Sequence, residues 1–86
     1  MRLDKFLKVS RLIKRRTVAN EACSAGRVTV NDKTAKPSTE IKEGDIISIR
    51  FGSRELTAQV LSIREFAPKE QAGDMYRIIS GDSSAF

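Results

Sequence analysis

The sequence predicts an α+β fold, in which two N-terminal helices pack on a small, mostly antiparallel sheet and a short C-terminal extension follows. Two observations lead to this prediction. Apolar residues recur with the period of a helix up to Gly26, and after it they alternate with the period of a strand. Turn-forming residues then divide the sheet region into short segments. With 86 residues, the chain can form one domain with one modest core.

The first helix is predicted over residues 1–10. Leu3, Phe6 and Leu7 lie at i, i+3 and i+4, so they form one apolar face. At about 100° per residue, the basic residues of this segment fall on the opposite face. Asp4 is an acidic residue in the first turn, which the helix dipole favours, and it could hold a nearby arginine in position.

The second helix is predicted to begin after Thr17, whose hydroxyl can accept a hydrogen bond from an N–H group of the first turn. Small apolar residues then recur with helical spacing, which allows two helices to approach closely. Gly26 is expected to end this helix because glycine adopts a positive φ readily. Between the two helices, residues 11–16 interrupt the apolar pattern and are expected to form a basic connector.

The sheet is predicted from four alternating segments. Residues 27–30 form the first strand, and the turn at 31–33 leads to a short return strand at 34–36. Pro37 limits this return strand to an edge of the sheet. The other strands and the turns before them are predicted at residues 42–45 (turn), 46–51 (strand), 52–54 (turn) and 56–63 (strand).

The domain is expected to span residues 1–66, and residues 67–86 are expected to form a partly ordered extension. Residues 68–72 could form one helical turn, and residues 75–79 a last strand or a packed tail. Residues 80–86 are small and polar, and are expected to fray.

Enzymatic classes are disfavoured by composition. The chain has one Cys, Cys23, and no His, so the commonest general base and metal ligand are missing. We expect no catalytic activity and no metal or other cofactor, and we interpret Cys23 as a small buried apolar residue. No apolar run approaches the roughly 18 residues of a bilayer span, and no signal peptide is apparent, so a cytoplasmic location is expected.

The basic residues are concentrated at one end of the chain. The net charge is +5; residues 1–16 contain seven basic residues and one acidic residue, and the other seventy contain nine basic and ten acidic residues. Such an excess in one element indicates a polyanionic partner, because mutual repulsion would otherwise destabilise the fold. A solvated helix face is the alternative.

The nature of the polyanion follows from what the sequence lacks. The apolar face of the first helix is needed for the core, which disfavours a membrane surface. The second helix carries no Arg, Lys or Gln that could read bases in a DNA major groove, and no aromatic ladder for single strands is present. Recognition of backbone and shape remains, which suits structured RNA, with duplex DNA as the rival.

The order of these elements resembles the RNA-binding domain of the ribosomal protein S4 type, also called the αL motif. The resemblance covers about residues 1–51, and one difference is Asp32 where the family more often has Gly. It implies that Arg2 and Arg16 are central RNA contacts. The same resemblance adds five further basic residues to this surface: Lys5, Lys8, Arg11, Lys14 and Arg15. The matching stretches are residues 3–7, 16–17, 25–31 and 44–46.

Among stand-alone members of this family, residues 2–7 and 14–17 are most similar to factors that stabilise P-site tRNA in bacterial ribosome-associated quality control. This resemblance implies binding to rRNA and P-site tRNA on a large ribosomal subunit, beside a protein partner that adds an alanine tail to the stalled chain. A monomer is expected off the ribosome. The alternative is a heat-shock-type recycling factor that binds free large subunits carrying peptidyl-tRNA. An RNA-modifying enzyme is disfavoured because residues 52–86 are too few for a catalytic domain.

Overall fold

The computed structural model of the protein describes residues 1–81 and has the predicted α+β architecture. Within this range, helices pack on a five-stranded sheet of order β2-β1-β3-β4-β5, in which all neighbouring strands are antiparallel. The elements are α1 (Leu3–Val9), α2 (Arg16–Ser24), β1 (Val28–Val30), β2 (Lys33–Thr34), β3 (Ile46–Phe51), β4 (Arg54–Val60), α3 (Lys69–Ala72), a 3₁₀ turn (Gly73–Met75) and β5 (Tyr76–Ser80). Residues 80–86 were predicted to fray. Residues 82–86 of this segment lie outside the described residues.

Helix α1 buries the predicted apolar face and is tied at its start by a loop. Leu3, Phe6 and Leu7 are fully buried. No side chain caps the helix at its N-terminus. Instead, the N–H groups of Leu3 and Asp4 donate to carbonyls of the 37–39 loop, at 2.8 and 3.1 Å. Backbone contacts from a distant segment therefore replace a local cap.

Helix α2 begins earlier than predicted, so the prediction that Thr17 caps it was wrong. The N-cap residue is Arg15, in extended conformation and without a side-chain hydrogen bond. Its carbonyl accepts the N–H of Ala19 at 3.0 Å, which places Thr17 inside the first turn. At the other end, Gly26 has φ of +75°, as predicted. The N–H of Arg27 donates to the carbonyl of Ala22 at 2.9 Å, which completes a Schellman ending.

A two-residue turn at Asn31 and Asp32 joins β1 to the edge strand β2. Both residues have positive φ, +52° and +68°, the combination of a type I′ turn. The Asn31 side chain also fixes the turn to the start of β3. Its Oδ1 accepts the N–H of Ile46 at 3.0 Å, and its Nδ2 donates to Asp45 Oδ1 at 3.2 Å.

The C-terminal part of the described chain completes the sheet. Strand β4 ends at Val60 rather than at residue 63, because the N–H groups of Leu61 and Ser62 both turn to the carbonyl of Met75. The residues after Met75 then form β5, which pairs with β4 and contains one register shift. Met75 and Ala72 are buried, so this segment contributes to the single core.

Asp32→Gly is expected to stabilise the protein by up to about 1 kcal/mol, because glycine adopts the left-handed conformation without the steric cost of a side chain. Asn31→Gly is the matched control in the same turn. It keeps the turn conformation but loses two side-chain hydrogen bonds, so it should destabilise by about 1–2 kcal/mol. Urea unfolding followed by circular dichroism measures both. Equal shifts for the two variants would contradict the role assigned to the Asn31 side chain.

Candidate nucleic-acid interface

Two arginines share one buried carboxylate. Asp4, in the first turn of α1, has a side chain only 2% exposed. Arg2 Nε lies 3.2 Å from Asp4 Oδ1, and Arg2 Nη2 lies 3.3 Å from Oδ2. Arg16 Nη2 is 3.9 Å from the same Oδ2. Asp4 therefore brings together Arg2, which precedes α1, and Arg16, the first residue of α2. This agrees with the prediction that Asp4 could hold a nearby arginine in position.

The backbone of Arg2 is also fixed. Arg2 forms an isolated antiparallel bridge with Glu40, and the N–H of Ile41 donates to the carbonyl of Met1 at 2.8 Å. Chain ends usually fray unless such contacts hold them. With its guanidinium held by Asp4 and its backbone by residues 40–41, Arg2 presents a side chain that is still 54% exposed.

The basic connector between the helices is anchored by its two apolar residues. Leu12 and Ile13 are each 1% exposed, whereas Arg11, Lys14 and Arg15 are exposed. Arg11 has φ of +63°, at the position where α1 ends and where glycine is usual. Burial of the apolar pair thus holds a short loop on the core and turns its cations outward.

The outer face of α1 carries the remaining predicted contacts. Lys8 is exposed in the last turn, where the helix dipole favours a cation. Lys5 is partly buried and forms an ion pair with Glu65 from the segment after β4. The hydrogen bond and charge of Lys5 lower the pKa of Glu65 below its usual value. Six of the seven predicted basic residues are therefore exposed, and Lys5 is partly neutralised within the protein.

A cavity lies beside Arg2. It has a volume of about 580 Å³ and is bounded by α2 and the segment that follows β1. Arg2 and Lys36 line it together with Asn20, Ser24 and other residues of the 34–38 segment. Sequence reasoning did not select Lys36 or Asn20, since neither belongs to the basic cluster. Lys36 and Asn20 come together only because the segment before Pro37 approaches the second helix. This is a tertiary contact, and the sequence alone does not signal it.

Cys23 also lines this cavity but is 2% exposed. Burial, with a smaller contribution from Asp4, raises the pKa of its thiol to about 11. The thiol therefore stays protonated at neutral pH, which is unsuited to nucleophilic or metal chemistry. Within residues 1–81, no cluster of three or more acidic, Cys or His side chains could hold a metal ion. No helix in that range is long and apolar enough to span a membrane.

Comparison with known proteins gives a consistent result. Residues 1–47 match the family model of the S4 domain. A protein of Listeria monocytogenes named RQC P-site tRNA stabilizing factor is 60% identical over 92% of this chain and 86% of its own length. A Bacillus subtilis protein of the same name is 51% identical over 92% of both chains.

A solved structure shows the same fold. The trimeric structure of heat shock protein 15 from Vibrio cholerae superposes with a TM-score of 0.83. It is 32% identical and covers 93% of this chain and 82% of its own. The sequence relatives named above are therefore much more similar to this chain than the heat shock protein is.

Native Cys23 is expected to react slowly with iodoacetamide at pH 8, because the thiol is buried and its pKa is about 11 rather than the usual 9.0. A pKa that is raised in the folded state means that the folded protein holds this proton more tightly. Its contribution to stability is therefore full below pH 9 and is lost as the pH rises toward 11.

Mass spectrometry of the alkylated protein, native and in urea, measures the two rates between pH 7 and 10. The urea-unfolded protein is the control for intrinsic thiol reactivity. Equal native and unfolded rates at pH 8 would contradict the burial of Cys23.

Proposed function

This chain belongs to the S4-domain family, in the group of relatives named RQC P-site tRNA stabilizing factor, and from this premise we propose that it binds rRNA and tRNA on the large ribosomal subunit. There it stabilises peptidyl-tRNA in the P site while an alanine tail is added to the stalled chain. The observation that carries this function is the arginine pair, Arg2 and Arg16, which a single buried carboxylate orients.

The arginine pair is suited to phosphate. Arg2 directs Nε and one Nη toward Asp4, and its guanidinium has further N–H donors that can reach an anion. Arg2 and Arg16 are 54% and 57% exposed, so both remain accessible. One carboxylate against two guanidinium groups leaves a net positive charge. Holding the side chains in place before binding reduces the entropy lost on binding, which favours affinity and a fixed register on RNA.

The five other cations extend this contact. Arg11, Lys14 and Arg15 lie on the connector that Leu12 and Ile13 anchor, and Lys8 lies at the end of α1. Each phosphate neutralised releases counterions, so affinity should fall steeply with salt. Lys5 supports the surface mainly through its ion pair with Glu65.

Identity favours a role in quality control over one in recycling of free subunits. The Listeria monocytogenes and Bacillus subtilis relatives named for P-site tRNA stabilisation are 60% and 51% identical along most of their length, whereas the heat shock protein structure is 32% identical. The close superposition with that structure keeps the recycling role as the alternative. We further propose that the protein is non-catalytic, acts in the cytoplasm beside the partner that adds the tail, and is monomeric off the ribosome.

Arg16→Ala is expected to weaken binding to large subunits by about 1.5–3 kcal/mol, because one charge-assisted phosphate contact is lost. Folding stability should change by less than about 1 kcal/mol, since Arg16 is exposed and lies 3.9 Å from its carboxylate partner. Co-sedimentation with large subunits over a salt series measures the affinity. Thermal unfolding measures the stability.

Arg54→Ala is the matched control, because it removes the same charge from an exposed position at the start of β4. Ribosomal particles purified through tagged wild type, Arg16→Ala and Arg54→Ala should then be compared. Large subunits with peptidyl-tRNA and a tail-adding partner, lost only with Arg16→Ala, would support quality control. Large subunits without that partner would favour recycling. If Arg54→Ala weakened binding as much as Arg16→Ala, net charge rather than the arginine pair would explain the affinity.

Asp4→Asn is expected to weaken RNA binding by about 1 kcal/mol or more although it raises the net charge, because Arg2 and Arg16 lose the carboxylate that orients them. A binding surface that depended on charge alone would bind more tightly after this change. The variant should also lose about 1–3 kcal/mol of stability with its charge-assisted hydrogen bonds.

Glu43→Gln is the control for Asp4→Asn. It produces the same increase in charge at an exposed turn residue. Both variants should be measured below their unfolding midpoints, in the same co-sedimentation assay. Tighter binding by Asp4→Asn than by wild type would be incompatible with orientation of the arginine pair by Asp4.

A further inference from the structure

Phe66 is the most exposed large apolar side chain of the described residues. It is 80% exposed, compared with 50% for Ile79 and 47% for Leu61. Isolated exposed apolar residues are common on protein surfaces. The position of Phe66 is unusual because it lies against the basic end of α1.

Both neighbours of Phe66 are fixed. Glu65 forms the ion pair with Lys5 of α1, and Ala67 is 7% exposed as a member of the core. One residue further back, Arg64 Nε donates to Ser62 Oγ at 3.2 Å. The chain is thus held on each side of Phe66, and the ring is presented to solvent from a constrained segment rather than from a free end.

The ring lies beside two cations. Phe66 and Ala67 line a shallow cavity of about 150 Å³ together with Lys8, Val9 and Arg11. Its charged lining residues are both basic. Arg11 occupies this site with φ of +63°, a conformation that is unfavourable for residues other than glycine. Backbone strain of this kind is often found at binding sites, so Arg11 is a candidate contact.

An aromatic face with flanking cations matches the chemistry of a nucleotide. A base can stack on the ring, while the adjacent phosphates contact the ammonium and guanidinium groups. A membrane surface would need a broader apolar face than one ring. Among residues 1–81, the lining of this cavity contains no carboxylate and continues into the basic connector through Arg11, which favours RNA over a protein partner.

We propose that Phe66 stacks on an unpaired base of the bound RNA, and that Lys8 and Arg11 contact the phosphates beside that base. This inference rests on the proposed RNA-binding function and adds to it a site for a single unstacked nucleotide. RNA with unpaired bases is then bound in preference to a fully paired duplex. In this proposal, the arginine pair at Asp4 contacts the phosphate backbone of the RNA. Phe66 contacts a base only where that base is unpaired.

Phe66→Trp provides a direct probe, because the chain contains no other Trp. The variant is titrated with tRNA, with large ribosomal subunits and with a fully paired RNA duplex that has as many phosphates as the tRNA. Stacking of a base should quench the indole fluorescence with tRNA or with large subunits and leave it nearly unchanged with the duplex. Phe66→Ala should bind the quenching partner roughly five-fold or more weakly. Phe66→Tyr should bind like wild type, and Ile79→Ala, an exposed apolar residue on β5, is the matched control.

Three results would overturn the inference in distinguishable ways. RNA binding without quenching, together with wild-type affinity of Phe66→Ala, would refute base stacking and leave the proposed function intact. Loss of a protein from purified particles of Phe66→Ala, with unchanged RNA affinity, would assign the ring to a protein contact instead. Failure of the wild type to bind either tRNA or large subunits would refute the proposed function itself.

Discussion

The carboxylate of Asp4 is the interaction on which the arrangement of the N-terminal half depends. It is buried, and it is joined to Arg2 before α1 and to Arg16 at the start of α2. An arginine in the first turn of a helix is unfavourable next to the positive end of the helix dipole. The nearby carboxylate offsets this effect, and α2 begins without a side-chain cap. The single charge of Asp4 therefore joins the starts of both helices and lies beside two exposed arginines.

The start of the chain owes its order to segments that are distant in sequence. The 37–41 loop accepts or donates hydrogen bonds to the backbone of residues 1, 3 and 4. The same loop follows the hairpin whose turn Asn31 fixes to β3. Arg2, which we propose as an RNA contact, is consequently held by this distant loop rather than by its own helix. The hairpin thus affects the interface without contributing a predicted contact of its own.

Local sequence signals predicted the elements that depend on local physics. Strand β3 was predicted with its observed bounds, because alternation and flanking turns define it. The end of α2 at Gly26 was predicted because a positive φ favours glycine. The start of α2 was mispredicted because the helix begins after Arg15 without a side-chain cap, so Thr17 lies inside the first turn. The pairing of Lys5 with Glu65 and the exposure of Phe66 could not be predicted, because both depend on where the chain returns after β4.

The basic connector shows how a cationic surface can be built on a small core. Leu12 and Ile13 are buried, so the loop gains apolar contacts that offset repulsion among the adjacent cations. A net charge attracts RNA from a distance but does not fix the position of any phosphate. Position comes from the groups that hold each cation: Asp4 for the arginine pair, the apolar anchors for the connector, and the helix end for Lys8. The side chains of the arginine pair are preorganised by Asp4, whereas the net charge mainly increases the rate at which RNA is encountered.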